Sequence, residues 1–259
     1  DTQSNTPKAG DFQLTRDWMN NSNTLLIKGN VAEKKQGKIN LHHPEVYFIH
    51  SFVEKLLRNH VSCSGAYAFK TFNKEEEVTK LAEQRTPFTK VLKEMMKESD
   101  NLNAEATFYR VAKQSSGKNR AETADGLTAI QQVIKKTGLD PKNYRLADGS
   151  GLSNYNYISP ELLVAFLKYA YTDTEIFQKL YKSLPSAGID GTLSYRMGKG
   201  KTFKNVHAKT GAISGIYTLA GYLKAKNGHE IAFAIMNQNA LGGQKPRSFQ
   251  NEVCRILCE

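Results

Sequence analysis

The stretch from Lys204 to Glu259 constrains the fold more than any other part of the chain. Three apolar runs, KNVHAKTG, GIYTLAGYLKA and HEIAFAIMNQ, follow one another with turn residues between them, and Asn227-Gly228 is a hairpin signal. The last run, PRSFQNEVCRILCE, switches to helical spacing and places Phe249, Val253, Ile256 and Leu257 on one face. Strands of this kind make an antiparallel sheet, and the closing helix covers it.

Upstream the pattern is mostly helical. PEVYFIHSFVEKLLRNH puts Val46, Ile49, Val53, Leu56 and Leu57 on one face, with Pro44 in the first turn. Residues 65–87 are polar, and Pro87 reopens helical spacing in PFTKVLKEMMKES. LNAEATFYRVAKQ follows, then ETADGLTAIQQVIKKTG with Leu127, Ile130, Val133 and Ile134 inward. In SPELLVAFLKYAYT, Ser159 caps and Pro160 takes the first helical position, and a further helix spans 173–183. The first forty residues carry short apolar runs divided by GN and QGK, which read as strands of a small β region. Helices, an antiparallel sheet and a closing helix define an α+β core.

At 259 residues the chain can bury one large core or a core with a satellite. No apolar run reaches the ~20 residues of a bilayer-spanning helix. Lys and Arg number 36 against 25 Asp and Glu, a net charge of +11, but the basic residues are spread along the chain and accompany no nucleic-acid module. Neither nucleic-acid binding nor a cofactor is expected. Cys254 and Cys258 lie four apart on a helix, about 5–6 Å between Cβ atoms and too far for a disulfide. No ligand spacing suggests a metal, and Cys63 has no evident partner. The opening DTQSNTPKAG lacks an apolar signal core, so any export segment is expected outside this chain.

Two triplets suggest chemistry: Ser99-Asp100-Asn101 at a helix junction and Lys209-Thr210-Gly211 on a strand. SxN and KTG, together with SxxK, are the signature of class A β-lactamases and penicillin-binding proteins. Lys136-Thr137-Gly138 repeats KTG, but at a helix end, where the lysine complements the dipole and Gly138 supplies a left-handed cap. The copy at Lys209 projects from a sheet edge, and Gly211 admits close backbone approach. Ser99 either caps a helix starting near Leu102, which Asp100 serves equally well, or carries a functional hydroxyl. Asp148, Ser150 and Gly151 in DGSGLS either bond within their own loop or line a cleft.

Four blocks in order, KESDNLNAEATFYRVA, LADGSGLSNYNYISPELLVAFL, GIDGTLSYRM and VHAKTGAISGIYTLAGYLKAKNGHEIAFAIMNQN, resemble the D-alanyl-D-alanine carboxypeptidase and endopeptidase family of low-molecular-mass class C penicillin-binding proteins. The resemblance covers roughly residues 44–258. It implies a transpeptidase-like antiparallel sheet flanked by helices, with β domains inserted after the nucleophile motif. Residues 1–43 are then the tail of such an insertion, and 44–259 the C-terminal part of the penicillin-binding domain. The chain departs from the pattern at one point: no SxxK precedes Ser99. The match Ser115-Ser116-Gly117-Lys118 follows SDN in a polar loop and is not expected to be a nucleophile. The nucleophilic serine is expected outside this chain.

What the resemblance implies is acyl transfer through a serine ester. Ser99 relays a proton, Asn101 holds the substrate amide and the SxxK lysine, and Lys209 supplies positive charge near the substrate carboxylate. Thr210 donates to that carboxylate, and the Ala212 N–H forms half of an oxyanion hole. Peptidoglycan stem peptides and β-lactams are the implied partners, in an extracytoplasmic, periplasmic setting. A non-catalytic peptidoglycan-binding relative and a serine β-lactamase are the rival readings.

Overall fold

The computed structural model describes residues 12–29, 39–64, 66–71, 73 and 77–259, which divide by their contacts into two units, Asp1–Leu81 and Ala82–Glu259. In the first unit β1 (Gln13–Arg16) and β2 (Leu25–Lys28) form an antiparallel pair with Arg16 opposite Leu25. The β reading of residues 30–38 lies outside the described residues. α1 (Pro44–Arg58) belongs to this unit, so the contacts divide the chain after Leu81, beyond the boundary at 43 drawn from the sequence. Val46, Ile49, Val53 and Leu56 form its half-buried stripe. Leu57, expected with them, is exposed, because one residue past Leu56 turns about 100° around the helix.

The second unit begins with α2 (Phe88–Lys97) and α3 (Asn101–Ser116), followed by α4 (Thr123–Lys136). Gly138 follows α4 with φ 86, the left-handed end its sequence indicates. α5 (Pro160–Tyr171) starts as predicted: the Ser159 hydroxyl accepts from the Leu162 N–H, and Pro160 needs no partner for its nitrogen. α6 (Thr174–Ser183) is capped by Asp173, which accepts from the Glu175 and Ile176 N–H groups.

The sheet has the order β3-β4-β5, with β3 (His207–Ile213), β4 (Ile216–Lys224) and β5 (Glu230–Asn237) all antiparallel. Lys209 stands opposite Ala220, and Lys224 opposite Glu230 across the Asn227-Gly228 turn. Alternation splits the side chains between two faces. One face, with Ala208, Leu219, Leu223 and Phe233, packs on α7 (Gln244–Leu257) and on Ala187, Leu193 and Val206. The other carries Ala220, Tyr222 and Ala232 against Met96 of α2, Leu167 of α5 and Phe177, Leu180 and Tyr181 of α6. The Tyr222 hydroxyl donates to the Leu167 carbonyl at 2.7 Å, so the buried phenol is satisfied.

The buried stripe of α7 matches its apolar residues only in part: Val253 and Leu257 are half-buried, and Leu257 packs on the core. Phe249 and Ile256 are 54% and 56% exposed, whereas Pro246, Gln250, Cys254 and Cys258 are buried at four-residue spacing. Gln250 can face the sheet because its amide Nε2 donates to the Tyr217 carbonyl at 3.1 Å and to Asn237 Oδ1 at 2.9 Å. A hydropathy count ranks glutamine as surface; partners in distant strands reverse that ranking.

Candidate active site

α2 and α3 meet at a sharp junction. Asp100 is the N-cap of α3, its Oδ1 accepting from the Asn103 N–H at 2.8 Å. The capping role that competed with function for Ser99 is therefore taken by its neighbour. Ser99 itself has φ 56, left-handed backbone that costs a non-glycine residue about 1–2 kcal/mol. That conformation accompanies a hydroxyl turned to the sheet: Lys209 Nζ donates to Ser99 Oγ at 2.7 Å. The two triplets, 110 positions apart in sequence, thus meet through one hydrogen bond.

Lys209 lies on the sheet face shared with Ala220, directly across β4, where a small side chain leaves room for its stem. Its ammonium also donates to the Thr210 carbonyl at 2.6 Å. Both acceptors are uncharged oxygens, so nothing offsets the cost of burial, which pushes the lysine down to about 8. Roughly one molecule in ten then carries the neutral amine at pH 7.

β3 is an edge strand, and its outer side is only partly used. Ala208 N–H donates to the Pro185 carbonyl at 3.0 Å and the Val206 carbonyl accepts from Ala187 N–H at 2.9 Å, so even-numbered residues point their backbone groups away from β4. By the same alternation the N–H groups of Thr210 and Ala212 face the open edge, where no described backbone group meets them. The Thr210 hydroxyl donates to the Thr192 hydroxyl oxygen at 2.8 Å, or accepts from it. Gly211 sits opposite Thr218, and a Cβ on it would lie 2.4 Å from Thr218 Oγ1. Asn101 occupies the first position of α3 and is exposed.

The DGSGLS loop is organised inward. Asp148 accepts from the N–H groups of Gly151 (2.8 Å) and Ser153 (2.7 Å), from Asn156 Nδ2 (2.8 Å) and from the Ser150 hydroxyl (3.3 Å). Burial works against its charge, but these donors hold its carboxyl below the usual range. Glu105 of α3 accepts from the Gly149 and Ser150 N–H groups at 3.1 and 2.9 Å. Asp148, Ser150 and Gly151 are thus bonded to their own loop and to α3, not to Ser99 or Lys209. Ser115 and Ser116 form the last turn of α3 rather than a loop, and Lys118 pairs with Asp125. Lys136 and Thr137 line a cavity of about 760 Å³ between α4, α5 and β5 that contains none of Ser99, Asn101 or Lys209.

Three residues at the site escaped the sequence reading: Lys97, Asp190 and Thr192. Asp190 and Thr192 lie in the block GIDGTLSYRM, so a signal was present, but without a role attached. Lys97 likewise opens the block KESDNLNAEATFYRVA, but a lysine ending an amphipathic helix is ordinarily solvated, so no role attached to it either.

The antiparallel sheet β3-β4-β5 between helical layers resembles the fold of β-lactamases and penicillin-binding proteins. The TLA-1 extended-spectrum β-lactamase shares that fold at a TM-score of 0.50 and 18% identity, over 92% of this chain and 88% of its own. The profile of the D-Ala-D-Ala carboxypeptidase 3 (S13) family matches residues 2–259, and the chain belongs to that family. Penicillin-binding protein 4 of Haemophilus influenzae superposes with a TM-score of 0.72 at 28% identity, covering 96% of this chain and 57% of its own. By sequence, the D-alanyl-D-alanine carboxypeptidase DacB of Haemophilus influenzae is 38% identical over 149 residues, 57% of this chain and 31% of that protein. The D-alanyl-D-alanine carboxypeptidase of Actinomadura sp. is 31% identical over 218 residues, 81% of this chain and 39% of that protein. The chain therefore spans well under half the length of these curated relatives.

Proposed function

We propose that this chain is the proton-relay and substrate-anchoring part of a serine-type D-Ala-D-Ala carboxypeptidase or endopeptidase that acts on peptidoglycan stem peptides, with the nucleophilic serine supplied from outside it. The observation that carries the reading is the 2.7 Å contact between Lys209 Nζ and Ser99 Oγ within a chain of this family. The segment before α1, with its β1–β2 pair, is read as the end of a β-rich insertion, and the working environment as extracytoplasmic, where peptidoglycan lies.

In this reading the substrate's C-terminal segment lies along the open edge of β3. Its terminal carboxylate meets the Lys209 ammonium and the Thr210 hydroxyl, a charge-assisted anchor. The serine oxygen attacks the penultimate carbonyl, and the developing oxyanion is held by the Ala212 N–H together with the nucleophile's own. Ser99, bonded to Lys209, receives the proton released by the nucleophile and passes it to the departing D-alanine nitrogen. Asn101 orients the substrate amide, and water then cleaves the acyl-enzyme. β-Lactams enter the same path as acylating analogues.

The test has two arms. Incubated alone with a fluorescent penicillin, this chain is expected to remain unlabelled; a labelled band mapped to Ser115 or any other of its serines overturns the placement of the nucleophile. A peptide ending in D-Ala-D-Ala is expected to bind weakly, and Lys209→Ala to weaken it about tenfold, the scale of one lost hydrogen bond to a charged group. Equal affinity by calorimetry overturns the anchor.

A further inference from the structure

The segments that carry Ser99 and Lys209 are joined at a second place. Lys97 ends α2, two residues before Ser99, and is only 9% exposed. Its Nζ donates to Asp190 Oδ1 and Oδ2 at 2.8 and 2.6 Å and to the Leu184 carbonyl at 2.8 Å. Asp190 also accepts from the Ser186 N–H at 2.9 Å. The next residue, Gly191, has φ 54 and abuts the end of α2: a Cβ there would lie 2.5 Å from the Lys97 carbonyl oxygen. Thr192 follows, with its hydroxyl bonded to that of Thr210.

These contacts close a ring. It runs from Ser99 to Lys209 by hydrogen bond, along β3 to Thr210, across to Thr192, back through Gly191 to Asp190, and across the ion pair to Lys97. Apolar packing of α2 on α6 through Met96 and its neighbours is non-directional and permits the helix to slide or rotate slightly. Three hydrogen bonds from one buried ammonium, two of them to a carboxylate, are directional and select one setting. Because the helix ends at Lys97 and only Glu98 intervenes, that setting passes directly to Ser99.

We propose that the Lys97–Asp190 ion pair is a positioning device for this site, fixing the end of α2 against the Gly191 turn and so setting the reach between Ser99 Oγ and Lys209 Nζ. The value of that reach for acyl transfer rests on the function proposed above; the positioning does not. Charged groups around the pair are few: Lys93 of α2 acts on Asp190, and His207 of β3 senses Lys97, Asp190 and Glu230. Lys97 and Asp190 are positioning residues, since neither touches the reacting atoms.

The experiment follows the Lys209 side chain by NMR through a pH titration of this chain without substrate, with Lys209→Arg to assign the resonance, alongside thermal unfolding. Asp190→Asn is expected to raise the Lys209 midpoint by about one unit, as water reaches the displaced amine. Asp190→Glu, which keeps the charge, is expected to return it most of the way. A lower unfolding temperature with an unmoved Lys209 titration reduces the pair to a structural tie and overturns the proposal. Should Asp190→Asn not fold, Gly191→Ala keeps both charges but forces the two segments apart; it is expected to raise the midpoint too, and an unmoved midpoint again overturns the proposal. An unchanged titration leaves the peptide-binding test of the proposed function to be decided separately.

Discussion

Lys209 Nζ lies 2.7 Å from Ser99 Oγ, a lysine from an edge strand meeting a serine held in left-handed backbone between two helices. Neither residue has an acidic partner at this contact, and the arrangement is sustained by the packing around it. Burial without compensation lowers the lysine from its ordinary 10.5 to about 8, and that shift has a consequence for stability.

Between pH 8 and 10.5 the unfolded chain binds more protons at this position than the folded chain, so the lysine's contribution makes stability rise with pH across that window. Below pH 8 both states are protonated and the folded state bears the full cost of the buried ammonium. One proton corresponds to about 1.4 kcal/mol per pH unit at most. Urea unfolding at pH 7 and pH 9.5 is expected to show a smaller pH dependence for Lys209→Met than for the unmodified chain, by about 1–2 kcal/mol. Matching pH dependences in the two chains rule out the uncompensated burial.

Gly211 is required by a neighbour across the strands. Its missing Cβ would fall 2.4 Å from Thr218 Oγ1, and a β-branched residue on a strand has little freedom to retreat. Gly211→Ala is expected to cost about 1–3 kcal/mol, the scale of overpacking. Combined with Thr218→Ala, the loss should largely disappear, since the obstructing atom is gone. A double-mutant cycle by thermal unfolding reads the coupling directly; additive losses place the strain elsewhere.

Much of this architecture is visible in the sequence, because local chemistry decides it. Ser159-Pro160 starts α5, Gly138 ends α4, and the strand alternation with Asn227-Gly228 yields β4 and β5. The same locality distinguishes the two KTG copies, one at a helix end and one on a strand. What escapes is decided by long-range pairing. Gln250 and Cys254 face the sheet in place of Phe249 and Ile256 because partners for the glutamine amide come from β4 and β5. Lys97 is buried because Asp190, 93 positions later, awaits it. At the candidate site, the Ser99–Lys209 contact follows from the motif pair, whereas the Thr192 and Asp190 supports depend on a chain return that spacing does not specify.

The Asp148 loop should be acid-sensitive. Burial disfavours the carboxylate, yet the Asn156 amide and the N–H groups of Ser153 and Gly151 outweigh it and hold the pKa below its usual value. Such a group contributes stability above its unfolded pKa of about 3.9, and the contribution is lost as pH falls through the lower folded value. Hydrogen exchange at the Ser153 amide is expected to be protected at pH 5 and to lose protection below about pH 4. In Asp148→Asn, where one acceptor is replaced by a donor, protection should already be weaker at pH 5, by about 1–2 kcal/mol. Unaltered exchange in the variant excludes Asp148 as the loop's organising acceptor.

The two thiols on α7 are expected to differ in what they tolerate. Both Cys254 and Cys258 are free and buried, whereas Cys63 is exposed. Burial pushes the Cys254 thiol up to about 12, and Cys258 is raised as well, although its sulfur accepts from Asn205 Nδ2 at 3.3 Å. A thiol-specific chromogenic reagent should therefore titrate one cysteine rapidly in the native chain and all three in denaturant. Serine substitution separates the buried pair. Both lie in the apolar cluster with Leu219 and Phe233, but Cys258→Ser keeps an acceptor for Asn205 and should cost little, whereas Cys254→Ser brings a hydroxyl into that cluster without this contact and should cost about 1–3 kcal/mol. Equal losses in the two variants, measured by urea unfolding, remove the Asn205 contact as the reason for the difference.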